Sequence, residues 1–223
     1  MGSELSTDIE EIAERYRAVR TQTDRLCAPL SVEDQVVQSM PDASPTKWHR
    51  AHTTWFFETF LLKQLSGYRP FDEVFEYLFN SYYNAVGEQF PRPHRGVISR
   101  PSVSQITAYR EHVDHAMIEA LAENRFDSDL IDLVVLGTHH EQQHQELIAT
   151  DIKHMLSQNP LEPAYLDGRE APASVATERS WTRLEGGIER VGHDGLGFCF
   201  DNELPVHDVI VPDFEIATRP VTN

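Results

Sequence analysis

The chain has 223 residues, a formal charge of -17, 40% hydrophobic and 25% charged residues, the make-up of an ordinary soluble globular protein with one sizeable core. The acidic balance argues against a nucleic-acid partner, because phosphate binding needs a basic field and no stretch is rich in Lys or Arg. Cys27 and Cys199 form no CxxC pair, which points to a reducing compartment, the cytoplasm, and neither a run of roughly 18 apolar residues nor a signal-like N-terminus suggests a membrane.

A first helix is predicted over residues 7–26, starting at Ser6/Thr7 and broken by Pro29, with Ile9, Ile12, Tyr16, Val19 and Leu26 facing inward. Residues 31–40 read as a shorter helix, capped by Ser31 with Asp34 three residues on and closed by Pro41. Ser44 at a cap position and Pro45 in the first turn open the next helix, which runs to about Leu65 and stops at Gly67. Its inward face carries Trp48, His52, Trp55, Phe56, Thr59 and Leu62, so His52 sits among aromatic residues. Residues 67–101 have no strong helical signal but many aromatics and prolines, and so long a crossover is unusual unless functional. Within it, Arg92 and Arg95 lie on a proline-stiffened segment. They are suited to gripping carboxylates in paired hydrogen bonds, or else are ordinary solvated arginines.

Ser102 starts a helix through Ile106, Tyr109, Val113, Met117 and Leu121 to about Asn124, and Asp127 or Ser128 opens another that ends near Ser157. Four long helices and one long connection make a mainly α four-helix bundle the economical architecture, over residues 1–160. Prolines and small residues mark 161–180 as a linker. Beyond it, 183–188, 198–203 and 206–211 read as short strand-like pieces, too few for a core. The chain is therefore expected to be the front part of a longer protein, with 181–223 opening a second domain.

The last helix carries the polar block Gly137-Thr138-His139-His140-Glu141-Gln142-Gln143-His144-Gln145-Glu146-Leu147. Leu133, Leu136, Leu147 and Ile148 bracket it with an apolar stripe that His140 and His144 continue. Residues four apart on a helix have Cβ atoms roughly 5 to 6 Å apart, so these two imidazoles can converge on one ion, whereas His139 projects about 100° away. His52 supplies a third nitrogen from a second helix, with His49 as its rival. The alternative is a solvated or core-satisfied set of histidines in a structural bundle. Read literally, residues 140–144 also spell H-E-x-x-H, the zinc metalloprotease signature with Glu141 as base. Leu147 and Thr150 stand where the extended form would place its Gly and third His, and in a bundle Glu141 points away from the ion. Three neutral imidazoles suit zinc, iron, nickel or copper, so spacing does not name the metal.

The blocks Ser44-Pro45-Thr46-Lys47-Trp48-His49-Arg50-Ala51-His52-Thr53-Thr54-Trp55-Phe56-Phe57-Glu58, Phe90 to Pro101, and His139 to Leu147 with Thr150-Asp151-Ile152-Lys153-His154 closely resemble the sulfoxide synthases of ergothioneine biosynthesis. Residues 188–223, with Glu203-Leu204-Pro205-Val206-His207 and Pro220-Val221-Thr222-Asn223, look like the start of that family's formylglycine-generating-enzyme-like α+β domain. The resemblance implies a DinB-like four-helix bundle and non-haem iron(II), Fe2+, held by His52, His140 and His144. It implies coupling of cysteine or γ-glutamylcysteine to the imidazole of Nα-trimethylhistidine (hercynine) with O2, giving a sulfoxide. Arg92 and Arg95 would hold the thiol substrate's carboxylate, Gln143 would lie close to the metal, and Tyr82 and Tyr83 are weaker candidates for pocket lining. The family's proton-donor tyrosine and most of its hercynine pocket are expected beyond residue 223, so these residues alone are expected to bind metal without turning over. Relatives that make ovothiol or selenoneine share the same logic, and a zinc-dependent DinB-like thiol transferase is the reading from a different class.

Overall fold

A computed structural model of the chain describes residues 2–166, 168 and 178–221. The chain divides into two compact units, Met1–Asp167 and Gly168–Asn223. Residues 167 and 169–177, in the middle of the proline-rich stretch, lie outside the described residues. No described helix is long and apolar enough to cross a membrane.

The first unit is a closed ring of four long helices. α1 (Gly2–Cys27) packs on α5 (Ser128–Ser157) and on α4 (Val103–Ala122), and α2 (Thr46–Phe60) packs on both α4 and α5; a one-turn α3 (Phe75–Phe79) lies in the crossover. α4 and α5 start where a side chain can satisfy the free N–H groups of a first turn. Ser102 and Gln105 form a reciprocal capping box, and Asp127 Oδ1 accepts the Leu130 N–H at 3.0 Å; such caps contribute about 1 kcal/mol each. The stripe Ile106, Tyr109, Val113, Met117 and Leu121 of α4 is fully buried, as its period requires.

α2 departs from its pattern. It begins at Thr46, later than Ser44 predicts, because Ser44 is engaged elsewhere: its N–H donates to Asp151 Oδ2 at 2.9 Å and its Oγ accepts from Arg95 at 2.9 Å. It ends at Phe60, and a separate 3-10 turn, Leu62–Gln64, carries the chain on. Every residue from Thr46 to Thr59 is buried, not only one face. The crossover 67–101 wraps the outer side, and α2 pins it. Glu58 accepts hydrogen bonds from Tyr68 Oη, the Phe71 N–H and Tyr109 Oη, while Trp48 Nε1 donates to Leu78 O and Lys47 Nζ to Pro101 O. These tertiary bonds, rather than periodicity, give the crossover its shape, including a 3-10 segment at Arg92–Val97.

Two further expectations are corrected. Residues 31–40 form a single 3-10 turn, Asp34–Val36, instead of a helix. The reciprocal Ser31/Asp34 bonds do form, but Gln38 then clamps the crossover, donating to Ala43 O and Arg92 O and accepting the Gly96 N–H. On α5 the deepest face is Val134, Gly137, Thr138, Glu141, Ile148 and Ile152, one residue round from the predicted stripe, and Leu147 is exposed. Hydropathy hides this face because Glu141, completely buried, sits at its centre.

In the second unit β1 (Trp181–Leu184) pairs antiparallel with β4 (Phe214–Ala217), Trp181 opposite Ala217, and β2 (Gly187–Val191) with β3 (His207–Val211), Gly187 opposite Val211. Residues 198–203, expected to be strand-like, instead hold a 3-10 turn at Asp201–Glu203, closed by Glu203 accepting the Phe200 N–H. The two ribbons leave Trp181, Ile188 and Ile210 exposed.

Candidate metal centre

α2 and α5 bring three imidazoles to one point. His52, His140 and His144 each offer a nitrogen, and the three nitrogens lie within 4.8 Å of one another. Ring centroids are 5.0 Å apart for His52 and His140, 4.7 Å for His52 and His144, and 4.6 Å for His140 and His144. The close approach of the two helices depends on Gly137, one turn before His140. A Cβ there would lie 2.5 Å from the Phe57 ring and 2.9 Å from Phe56.

Each histidine is held differently. His52 Nδ1 donates to Phe79 O at 2.6 Å, which leaves Nε2 as its ligand atom, and its ring is stacked between Trp48 (4.7 Å, 11°) and Trp55 (5.5 Å, 15°). His144 Nδ1 lies 2.8 Å from His49 Nδ1, and His49 Nε2 lies 3.0 Å from Asp151 Oδ2. His140 packs against Phe56 at 4.9 Å, and its Nδ1 is buried with no hydrogen-bond partner among the described residues. The rival ligand His49 thus stands behind His144. His139 turns away, accepting a hydrogen bond from Arg15.

Burial keeps the cluster neutral. It pushes His52 and His144 well below the ordinary imidazole range, helped by the neighbouring histidines and by Arg95, and it lowers His140 to about 4 against the opposing pull of Glu141. Neutral imidazoles are the form that ligates metal. Metal-bound imidazole nitrogens, at about 2.0–2.1 Å from the ion, stand roughly 3 Å from one another, within a small side-chain adjustment of this cluster. The unpartnered His140 nitrogen fits the same purpose, since a buried orphan polar atom costs about 1–3 kcal/mol unless something binds it.

Glu141 takes no part in this cluster. Its carboxylate accepts from Arg20 at 2.8 Å, Thr23 Oγ1 at 2.6 Å and Arg110 at 3.2 Å. Burial alone would raise its pKa, but these two arginines and the hydrogen bonds hold it down at about 2. A carboxylate so engaged on the far side of α5 is not placed to act as the base of an H-E-x-x-H protease.

Of the predicted substrate-binding residues, Arg95 is the one built into the centre. It is 3% exposed, its guanidinium carbon lies 3.4 Å from the Trp48 ring centroid, and its terminal nitrogens donate to Ser44 Oγ (2.9 Å) and Ser81 Oγ (3.0 Å). Its Nε has no partner among the described residues, and burial, then the charge of Arg92, pull its pKa down to about 9. Its charge reaches His49, His52 and His144. Arg92 lies nearer the surface, its donors on Tyr82 Oη (2.9 Å) and Asp42 O. Gln143 is exposed on α5, one residue before His144. Tyr82 is exposed, while Tyr83 packs on Trp55 and Phe60.

Sequence reading did not single out Asp151, the Phe79 carbonyl or the serines under Arg95. Asp151 could have been found seven residues, two turns, along the face of His144. A backbone carbonyl leaves no such signal.

The sequence profile of the DinB superfamily matches residues 15–148, which include all three histidines. The chain is also similar to the hercynine oxygenase of Mycolicibacterium thermoresistibile, 28% identical over 220 residues that cover 96% of this chain and 46% of that protein. The chain therefore spans about half the length of the curated relative it matches.

Proposed function

Because the chain belongs to the DinB superfamily, we propose that its three-histidine cluster is a metal centre holding iron(II), and that the protein is an O2-dependent sulfoxide synthase acting on hercynine. The observation that carries the reading is the convergence of three neutral imidazoles with no carboxylate among them, beside the buried cation of Arg95. The name of the relative supports the substrate. A neutral ligand set leaves the ion its full charge and open positions, where it would supply the means to bring thiolate and O2 together.

The chemistry joins the sulfur of cysteine or γ-glutamylcysteine to a carbon of the hercynine imidazole. The S–H and ring C–H bonds break, a C–S bond forms, and O2 is reduced, one oxygen atom entering the sulfoxide and the other leaving as water with the two hydrogens. Residues of this chain bind and orient. His52 is fixed by Phe79 O and two indole faces, so its ligand nitrogen is preorganised. Arg95, resting on Trp48 with no carboxylate among its hydrogen-bond partners in the described residues, would take the carboxylate of the thiol substrate, a charge-assisted bond that compensates its burial. Arg92 would assist from the rim once it exchanges Asp42 O for the substrate. Gln143, exposed on α5 one residue before His144, would approach a ligand at the metal. Residues 181–223 are read as the opening of a formylglycine-generating-enzyme-like domain.

The test is oxygen uptake by the iron(II)-loaded full-length protein with hercynine, with thiol, and with both, and mass spectrometry of the product, beside residues 1–223 alone, which are expected to bind iron without turning over. Uptake that needs both substrates and yields the sulfoxide is expected. Tight zinc binding with thiol transfer and no substrate-dependent uptake would overturn this reading in favour of a zinc-dependent thiol transferase.

A further inference from the structure

We propose that His49 and Asp151 are a positioning pair that fixes the tautomer of His144, so that this ligand meets the metal through Nε2. The inference rests on the metal reading above and goes beyond it, to residues outside the ligand set. α2 contributes the ligand His52 and, three residues earlier, His49; α5 contributes the ligand His144 and, seven residues later, Asp151. Each of the two helices thus carries a supporting group as well as a ligand along the same seam.

The proton arrangement follows from the contacts. Asp151 Oδ2 accepts the backbone N–H of Ser44 at 2.9 Å, so toward His49 Nε2, at 3.0 Å, the same oxygen is again an acceptor and His49 Nε2 carries the proton. A neutral imidazole protonated on Nε2 has a lone pair on Nδ1. His144 Nδ1, 2.8 Å away, must then donate to it. The remaining nitrogen of His144, Nε2, has no proton and is the one left for the ion. His52 reaches the same tautomer by a different route, through Phe79 O. His49 is 3% exposed, which shields the relay from bulk solvent. Partners of this kind orient ligating histidines and raise their basicity, and losing one typically costs about 10- to 100-fold in metal affinity.

Asp151→Leu is the informative change, because it removes the acceptor that holds the proton on His49 Nε2 and frees His49 to protonate Nδ1 instead, which would push the proton of His144 onto Nε2. Asp151→Asn is the conservative control, since its carbonyl oxygen can still accept from both the Ser44 N–H and His49 Nε2. His49→Phe removes the acceptor, and His49→Gln restores one. Two readouts are needed: 15N NMR of the histidine tautomers in metal-free protein, and cobalt(II) titration followed by visible absorption, with circular dichroism to confirm folding. Expected are an Nδ1-protonated His144 in the wild type and in Asp151→Asn, loss of that signal in Asp151→Leu, cobalt affinity about 10- to 100-fold weaker in Asp151→Leu and His49→Phe, and partial recovery in His49→Gln. A wild-type His144 protonated on Nε2, or a doubly protonated His49, would overturn the pair. So would wild-type affinity in both Asp151→Leu and His49→Phe. Failure of the wild type itself to bind cobalt would instead overturn the metal reading, and the inference with it.

Discussion

The guanidinium of Arg95 lies 3.4 Å from the centroid of the Trp48 ring, and the imidazole of His52 stacks on the same indole, 4.7 Å away and nearly parallel. Trp55 stacks on His52 in turn at 5.5 Å, so successive contacts link a cation, an indole, a ligand candidate and a second indole. Such a cation–π contact contributes roughly 2 kcal/mol when desolvated. It also places a positive charge beside the cluster without adding a negative one.

Replacing Arg95 by Met removes that charge while keeping most of the bulk over Trp48. The account predicts KM for the thiol substrate to rise about 10- to 100-fold, as expected from losing a charged hydrogen bond of about 1.5–3 kcal/mol, with metal stoichiometry unchanged. Steady-state kinetics of the full-length protein at saturating hercynine, beside a metal assay, checks both halves. Arg95→Lys is predicted to recover little, since an ammonium cannot span Ser44 and Ser81 as the guanidinium does.

Gly137 sets how closely α5 approaches α2. Gly137→Ala gains up to about 1 kcal/mol of helix propensity but drives a methyl into Phe57 and Phe56, and overpacking of this kind costs about 1–3 kcal/mol. Net destabilisation is predicted in urea unfolding. The double variant with Phe57→Leu is predicted to recover stability, since the clash is with that ring.

Glu141 makes the fold acid-sensitive. Its pKa is about 2 in the folded chain against 4.5 ordinarily, so its contribution is full above pH 4.5 and is lost as pH falls toward 2. The shift corresponds to about 3 kcal/mol. Urea unfolding at pH 7 and at pH 3 is predicted to show that Glu141→Gln is markedly destabilised relative to wild type at pH 7, with the gap narrowing at pH 3. A gap that widened on acidification would contradict the sign.

How much of this was legible in the sequence depends on whether local chemistry or tertiary contact sets the feature. Ser102 and Asp127 cap their own helices, so α4 and α5 begin where the sequence places them. The His140/His144 spacing is likewise a property of one helix. Ser31 and Asp34 form the bonds of a helix start, yet no helix follows, because Gln38 is drawn into the crossover. Ser44 has the chemistry of a cap and serves Asp151 and Arg95 instead. The ion-pair core was invisible for a related reason: Arg20 lies four residues after Tyr16 on the inward side of α1 and bonds Asp114 and Glu141, but a charge on an apolar stripe reads as solvent-facing until its partners are known. His49, named as a rival ligand, could not be separated from a supporting role without the position of Asp151.

The central claim is that His52, His140 and His144 hold one metal ion between α2 and α5. Its most direct test is iron(II) bound per chain under anaerobic conditions, in the wild type and in His52→Ala, His140→Ala and His144→Ala, with circular dichroism on each to show that the bundle persists. The account predicts one iron per wild-type chain and its loss in all three folded variants. Retention of wild-type iron by any folded variant, His52→Ala above all, would contradict it.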